Sequence, residues 1–311
     1  MCPERPGMPV WSASLCNSCC ESMVFQQHNT GTENELSICR LGRPVQMVAE
    51  QVSLLQQVDL VSLRDFVTRR FKEDGGFAAT PMLVHTLSDT YYAIEILAIV
   101  QKLLNDGCAE SFLVHEATQA YLVGFARQKN TIPARIKCQL TALLHRFSLP
   151  VKQLPPVESA CRRFRSFEEQ FYLTSLGEET PFVAEHDFFL SLPLKTVREC
   201  SFYLQWRQIG YPEAIPGVRE RNRIAGWLRA SQNLDGGFGF YPGTTSYLEN
   251  SFFALHALKE VKTFPADVRR AVNYILLCQA GTGGFSRSPA AAPFLEDSLY
   301  ALRALAALSG L

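Results

Sequence analysis

The segment Gly-Gly-Phe occurs three times in the chain in the same sequence context, and this repeat constrains the fold more than any other feature. The copies are Gly75-Gly76-Phe77, Gly236-Gly237-Phe238 and Gly283-Gly284-Phe285. Each copy follows a stretch with helical periodicity and precedes a short loop and a second helical stretch. Because paired glycines adopt backbone angles closed to other residues, each copy predicts a helix end, a loop and a second helix.

The spacing of the copies predicts how many helical hairpins the chain contains. The glycine pairs beginning at Gly236 and Gly283 are 47 residues apart, whereas those beginning at Gly75 and Gly236 are 161 residues apart. The longer interval has room for two or three degenerate hairpins. Four helical stretches separated by prolines are predicted there, at 111–128, 134–147, 161–176 and 194–208. We therefore predict an all-α αα-barrel, or toroid, of about five or six hairpins, with the second helices lining the inside.

Each second helix is predicted to begin at an acidic or amide residue followed by a hydroxyl residue. The three pairs are Asp89-Thr90, Asn250-Ser251 and Asp297-Ser298. Side-chain oxygens of these types accept hydrogen bonds from the free amides of a helix N-terminus. The shared register therefore favours a capping role for Asp89 and Asp297.

The start of the chain differs from the rest in composition. Residues 1–45 mix Pro, Gly, Ser, Asn and Cys without a helical or strand period, which predicts a flexible, cysteine-containing leader followed by a helical domain over 46–311. Cys16 and Cys19, with His28 and Cys39, have the ligand chemistry of a zinc site. Their irregular spacing favours a tail without a metal.

Charge and hydropathy exclude several classes of partner. The chain has 30 basic and 30 acidic residues, so no net field favours nucleic acid or an anionic membrane surface. The longest apolar stretches, 91–100 and 300–308, are too short to cross a bilayer. The N-terminal residues lack the pattern of a signal peptide, so we expect a cytoplasmic protein.

The five cysteines after the leader mostly lie in apolar surroundings, which is typical of reduced core thiols.

The second copy extends into a longer motif, Gln232-x-x-Asp235-Gly236-Gly237-Phe238-Gly239-Phe240-Tyr241. This segment resembles the QxxDGGFGxW signature of squalene–hopene-type triterpene cyclases, and the three units together resemble the repeat shared by those cyclases and protein prenyltransferase β subunits. The resemblance covers about 110 residues in three blocks. It implies a closed αα-barrel around an apolar pocket shaped for a long isoprenoid.

The resemblance also implies a set of pocket residues. Aromatic side chains near the starts of the inner helices are the candidates for contact with isoprene units: Tyr91, Tyr92, Phe252, Phe253 and Tyr300. Aromatic faces pack against apolar chains and stabilise carbocations. An alternative stays open, because aromatic residues at helical spacing also fill ordinary cores.

The catalytic residues of both families are missing. At the positions of the prenyltransferase zinc ligands, Asp-x-Cys and Asp-x-x-His, the cysteine and histidine are replaced by Tyr, Phe or Leu. The DxDD acid of the cyclases is absent, as is the DDxxD magnesium motif. We therefore expect no zinc site and no cofactor, and the sequence leaves magnesium open. The carboxylates to test as catalytic groups are Asp89, Glu296 and Asp297.

Basic residues offer two candidate diphosphate sites. Arg287 follows the third Gly-Gly-Phe, and four arginines precede the second: Arg219, Arg221, Arg223 and Arg229. Arginine suits phosphate by its charge and its fork of donors, but a solvated helix face explains this second cluster equally well. Glu168 and Glu169 are interpreted as exposed helix charges, and the histidines as surface or core residues.

Three functional hypotheses follow. The leading one is a prenyltransferase-like or cyclase-like barrel that binds an isoprenoid or similar apolar molecule and has a non-standard active site. The second is a binding or scaffold protein without catalysis, and the third is a β-like subunit that requires a helical protein partner. Convergent carboxylates or arginines beside an aromatic pocket favour an enzyme, whereas a centre plugged by side chains favours a scaffold.

Overall fold

The computed structural model describes residues 54–149, 154–158, 166–178, 195–210 and 217–309. The helices in this part of the chain are α1 (Leu60–Thr68), α2 (Leu87–Leu104), α3 (Gly107–Leu113), α4 (Glu116–Ala126), α5 (Ala134–Arg146), α6 (Phe167–Ser175), α7 (Val197–Gly210), α8 (Val218–Ala230), α9 (Leu248–Glu260), α10 (Val268–Leu277) and α11 (Leu295–Ser309). Within these ranges the β-structure consists of isolated bridges, mostly in the Gly-Gly-Phe loops. The all-α prediction is confirmed, whereas the leader at 1–45 and its cysteines lie outside the described residues.

Six of these helices form a closed ring, which we call the inner ring. Following the contacts around it, α2 packs on α5, α5 on α6, α6 on α7, α7 on α9, α9 on α11, and α11 again on α2. Outside it, α1 and α3 pack on α2, α4 on α5, α8 on α9, and α10 on both α9 and α11. The predicted αα-toroid is therefore confirmed, and the helices after the three Gly-Gly-Phe loops belong to the inner ring. None of the helices described combines the length and apolarity needed to cross a membrane.

The first glycine of each Gly-Gly-Phe loop fixes the contact between neighbouring units. Gly75, Gly236 and Gly283 have φ values of +98°, +92° and +98°. A side chain at any of them would collide with the backbone of an outer helix: α4 at Gly75, α10 at Gly236 and α1 at Gly283. The last contact joins the third loop to α1, the first helix of the described residues, so this loop helps to close the ring.

The predicted capping roles of the Asp and Asn residues are wrong in two of three units. The inner helices begin two residues earlier, at Leu87, Leu248 and Leu295. Only Asp89 takes part in a cap, because its amide and carboxylate both bond the hydroxyl of the N-cap residue Thr86. The leucine two residues before each predicted start is buried in the core, and this contact draws the helix start toward the loop.

The hydroxyl residue that follows each Asp or Asn has a role that the sequence did not indicate. The hydroxyls of Thr90, Ser251 and Ser298 accept hydrogen bonds of 3.0, 3.0 and 2.9 Å from the backbone amides of the three Gly-Gly-Phe phenylalanines. Each hydroxyl also donates to a carbonyl one helical turn earlier. The phenylalanine rings themselves are fully buried. One short side chain thus ties the loop to the inner helix.

The middle stretches match the sequence prediction with one interruption. α5 begins at the predicted residue and ends one residue early. α6 lies in its predicted stretch, and α7 begins in its stretch and ends two residues beyond it; the first residues of these stretches, 161–165 and 194, fall outside the described part. The stretch predicted at 111–128 is broken between α3 and α4, where His115 has an extended backbone with ψ of 124°. The His115 ring packs 4.8 Å from Phe71 and stacks on Phe112, so tertiary packing stabilises the break.

Candidate functional site

The second residue of five inner-ring helices is charged, and together these residues form what we call the charged ring. Its members are Arg135 on α5, Glu168 on α6, Arg198 on α7, Glu249 on α9 and Glu296 on α11. The equivalent residue of α2 is Ser88, whose hydroxyl bonds the amide oxygen of Gln139 at 2.8 Å. The ion pairs among the five show that the helices begin at the same end of the lumen.

Glu296 is the centre of one half of the charged ring. Its Oε1 accepts hydrogen bonds from the Tyr92 hydroxyl at 2.6 Å, from Arg135 at 2.6 Å and from the Tyr300 hydroxyl at 2.9 Å. Arg135 also donates to the Tyr92 hydroxyl. Burial acts to raise the pKa of Glu296, but the hydrogen bond from Tyr92 and the charge of Arg135 lower the pKa overall. Glu296 is therefore ionised at neutral pH.

Arg198 is the centre of the other half. It donates to Glu168 at 2.8 Å and to Glu249 on the neighbouring helix. Its guanidinium carbon lies 5.0 Å from the centroid of the Phe253 ring. The interpretation of Glu168 as an exposed helix charge is therefore wrong: the second position of α6 faces the lumen, where Arg198 binds it.

The charged ring is partly accessible to solvent. The side chain of Glu296 keeps 41% of its surface accessible and that of Arg135 keeps 31%. Burial is nevertheless the largest single influence on the pKa of each group. This end of the lumen, which we call the recess, is therefore open to solvent although protein surrounds the charged groups.

The sixth residue of five inner-ring helices is aromatic, and these residues form an aromatic layer one helical turn below the charged ring. They are Tyr92, Tyr172, Phe202, Phe253 and Tyr300. Ring centroids are 5.7 Å apart for Tyr172 and Phe202, 5.4 Å for Phe202 and Phe253, and 5.7 Å for Phe253 and Tyr300. Phe252 stacks on Tyr300 at 4.8 Å. Four of the five aromatic residues predicted to line the pocket thus lie together in or against this layer.

The two aspartates proposed as catalytic groups occupy different environments. Burial, then the charges of Glu296 and Glu249, raise the pKa of Asp297 to about 7. Burial also raises the pKa of Asp89, and the hydrogen bond from the Thr86 hydroxyl opposes this rise. Asp297 therefore adjoins the charged ring and is partly protonated at neutral pH, whereas Asp89 belongs to the cap of α2.

The arginines proposed for a diphosphate lie outside the charged ring, although Arg287 is close enough to Asp297 for its charge to oppose the rise in the pKa of that carboxyl. Arg287 is exposed and stacks 4.1 Å from the centroid of the Tyr247 ring. Arg219 and Arg229 are exposed on the outer helix α8, where Arg229 donates to the carbonyl of Phe264. The arginines of the charged ring, Arg135 and Arg198, were missed, although their shared position with Glu249 and Glu296 in the helix register carried the signal.

A second polar group lies at the opposite side of the aromatic layer, and we call it the polar layer. It is formed by the ninth residues of four inner-ring helices, Glu95, Gln205, His256 and Arg303, together with Arg146 of α5. Glu95 binds Arg146 at 2.7 Å and Arg303 at 3.3 Å. Arg303 also donates to the hydroxyl of Tyr91 at 3.0 Å. Tyr91 therefore contacts the polar layer instead of the charged ring.

His256 has a neutral side chain within the polar layer. Burial, then the positive charges of Lys259 and Arg303, lower its pKa to about 4. Its Nδ1 lies 3.4 Å from the hydroxyl of Ser201, and Gln205 donates to that same hydroxyl at 3.2 Å. The side chain keeps 21% of its surface accessible despite this burial. His256 therefore faces an internal recess.

The positions that hold zinc in prenyltransferases do not fit this ion here. Among the described residues, no group of three or more His, Cys, Asp and Glu side chains is arranged to hold a metal. At the histidine position Tyr92 and Tyr300 are hydrogen-bonded to Glu296, and burial raises the pKa of both hydroxyls. Neutral phenols bound to a carboxylate do not replace an imidazole ligand. The cysteines Cys138, Cys200 and Cys278 are buried and lie elsewhere.

Comparison with known proteins agrees with this geometry. A family model described as the prenyltransferase alpha-alpha toroid domain matches residues 19–131, 213–270 and 244–310. These matches cover more than half of the chain and include all three Gly-Gly-Phe loops. No curated protein matches the chain.

Proposed function

Because the chain belongs to the prenyltransferase alpha-alpha toroid domain family, we propose that it binds an isoprenoid or similar apolar molecule inside the inner ring. The observation that carries the proposal is the stacking of a charged ring directly on an aromatic layer, on the same helix faces, at the open end of the lumen. An amphiphile fits such an arrangement with its polar head at the charged ring and its chain against the aromatic side chains.

The charges favour a head group that is neutral. Arg135 already binds Glu296, and Arg198 already binds Glu168 and Glu249. A diphosphate would have to displace these carboxylates and then lie beside them, at a cost that grows in a recess partly removed from water. A hydroxyl head instead accepts from an arginine and donates to a carboxylate without breaking either pair. The proposed substrate class is therefore an isoprenoid alcohol or a related uncharged chain.

The recess also has the groups needed for proton transfer. Asp297 is partly protonated at neutral pH, and the adjacent Glu296 is ionised. Two neighbouring carboxyl groups with pKa values on opposite sides of their usual range are typical of an acid and base pair. We assign Asp297 the role of acid and Glu296 that of an ionised partner, beside aromatic faces that stabilise positive charge. The reaction class is then a proton-initiated change of an alkene or alcohol.

The test is native mass spectrometry of the whole chain with farnesol, geranylgeraniol and their diphosphates. We expect a stoichiometric adduct with the alcohols and a weaker one with the diphosphates. The variant Phe253→Leu removes a ring from the aromatic layer and should weaken the adduct about tenfold, whereas Phe240→Leu alters an exposed ring and should not. Failure of every isoprenoid to bind, with the protein folded, would contradict the proposal.

A protein partner remains a second candidate function. Several loop side chains are exposed and apolar, including Met82 at 92%, Val84 at 81% and Leu234 at 88% accessible. Met82 and Val84 flank the exposed Leu83 in the loop of the first unit, and a contiguous exposed apolar patch is typical of an interaction surface. Sedimentation velocity of the native protein and of Met82→Ser with Val84→Ser tests this function. Self-association lost in the double variant supports it, and a monomer in both cases with full isoprenoid binding opposes it.

A further inference from the structure

The polar layer is not explained by the binding of a simple isoprenoid. A hydrocarbon tail that reaches the far side of the aromatic layer would contact His256, Gln205 and the arginine pairs of Glu95. Contact with an apolar tail removes water from these groups without replacing its hydrogen bonds, which is unfavourable. An apolar ligand therefore matches only part of the lumen.

We propose that the polar layer binds a second polar group, so that the substrate is an isoprenoid with an oxygen function at the end opposite its head. This inference rests on the proposed function and names the substrate class more narrowly. The ligand places its head at the charged ring, its chain against the aromatic layer, and a terminal hydroxyl or carbonyl at the polar layer.

The geometry of the helices sets the separation of the two polar sites. Glu296 and Arg303 lie on one face of α11 and are seven residues apart, as are Glu249 and His256 on α9. At the rise of an α-helix, this separation is about 10 Å. Geraniol is similar in length to that interval, whereas longer isoprenoids exceed it. The lumen therefore favours a short chain with a polar group at both ends.

The side chains of α7 and α9 supply suitable hydrogen-bonding groups. Gln205, the Ser201 hydroxyl and His256 form a connected series, with the Nδ1 of His256 at 3.4 Å from the hydroxyl. Neutral imidazole has one donor and one acceptor nitrogen, and a hydroxyl accepts and donates in the same way. Arg303, on the next helix of the ring, adds a cation beside His256. These groups match a hydroxyl or a carbonyl better than a methyl group.

The experiment compares geraniol with its ω-hydroxylated analogue by calorimetric titration of the whole chain. We expect the hydroxylated ligand to bind about tenfold more tightly, which is the size of one buried neutral hydrogen bond. In His256→Phe, which replaces the polar ring with an apolar one, the preference should fall to about threefold or less. Gln205→Leu removes a second polar group and should also lower the preference for the hydroxylated ligand.

The matched control is His145→Phe, the same substitution at an exposed position of α5. It should retain the tenfold preference, and circular dichroism confirms that each variant is folded. Equal or tighter binding of geraniol by the native protein overturns the inference, as does a preference that survives both His256→Phe and Gln205→Leu. If farnesol binds and neither short ligand does, the inference is wrong and the proposed function stands. If no isoprenoid binds, both are wrong.

Discussion

The three Gly-Gly-Phe units and the middle of the chain contribute differently to the same ring. In the Gly-Gly-Phe units, a glycine with positive φ, a buried phenylalanine and a hydroxyl that joins the loop to the inner helix recur with nearly the same geometry. The middle of the chain has no Gly-Gly-Phe segment, yet its helices α5, α6 and α7 supply both arginines of the charged ring and one of its three glutamates. The regular units specify the fold, and the degenerate middle supplies the arginines of the charged ring.

The largest expected effect on stability concerns the first glycine of a Gly-Gly-Phe loop, compared with a glycine of the middle region. Gly283→Ala adds a side chain at φ of +98° and against the backbone of Ser62, and we expect it to lower the free energy of unfolding by about 3 kcal/mol. Gly177 in the middle region has φ of +69° and open space around it, so Gly177→Ala should cost about 1 kcal/mol. Urea denaturation measures both. Equal losses would show that the two regions are packed alike.

The next effect depends on pH. The folded-state pKa of Asp297 is about 7, above its value of 3.8 in the unfolded chain, so the folded state binds more protons between these pH values. The free energy of unfolding therefore falls as the pH rises from about 4 to 7. Asp297→Asn, which copies Asn250 of the second unit, should raise the free energy of unfolding by about 2 kcal/mol at pH 8. At pH 4 it should have little effect. Thermal unfolding across this range tests the sign, and a loss of stability at pH 8 would contradict the expected environment of Asp297.

A smaller effect on stability is expected for the hydroxyl that joins each Gly-Gly-Phe loop to its inner helix. Ser298→Ala leaves the buried amide of Phe285 without its acceptor and should cost about 1 to 2 kcal/mol. Ser175→Ala on α6 removes only a bond to a carbonyl within the helix and should cost under about 0.5 kcal/mol. Chemical denaturation of the pair measures the difference. Similar losses would remove the special role of the hydroxyl in the regular units.

The smallest effect concerns the charged ring. In Glu168→Gln, Arg198 loses one carboxylate but keeps Glu249, so we expect a loss of only about 0.5 to 1 kcal/mol. Because the pair is partly accessible, the loss should shrink in high salt. Denaturation at low and high salt measures both quantities. A loss that does not change with salt would mean that Glu168 acts by packing and not by charge.

The sequence was a good guide to the fold because the signals that specify it are local. Three glycine pairs in a shared sequence context predicted the hairpins, and the same register placed Tyr92, Phe253 and Tyr300 inside. The helix starts were missed by two residues because leucine burial, a tertiary effect, moves them toward the loop. The arginine–glutamate pairs were missed because Arg135 and Glu296 are 161 residues apart and meet only when the ring closes.

The closure of the ring links the two ends of the described chain. Gln279 accepts from the amide of Asp59 and donates to its carbonyl across 220 residues of sequence, and Gly283 abuts the helix that begins at Leu60. Open helical repeat proteins need terminal units with a polar outer face, whereas here the first and last units cover each other. Because closing so long a loop costs conformational entropy, we expect this contact to form after the other units, so that the lumen and the fold are completed in one cooperative event.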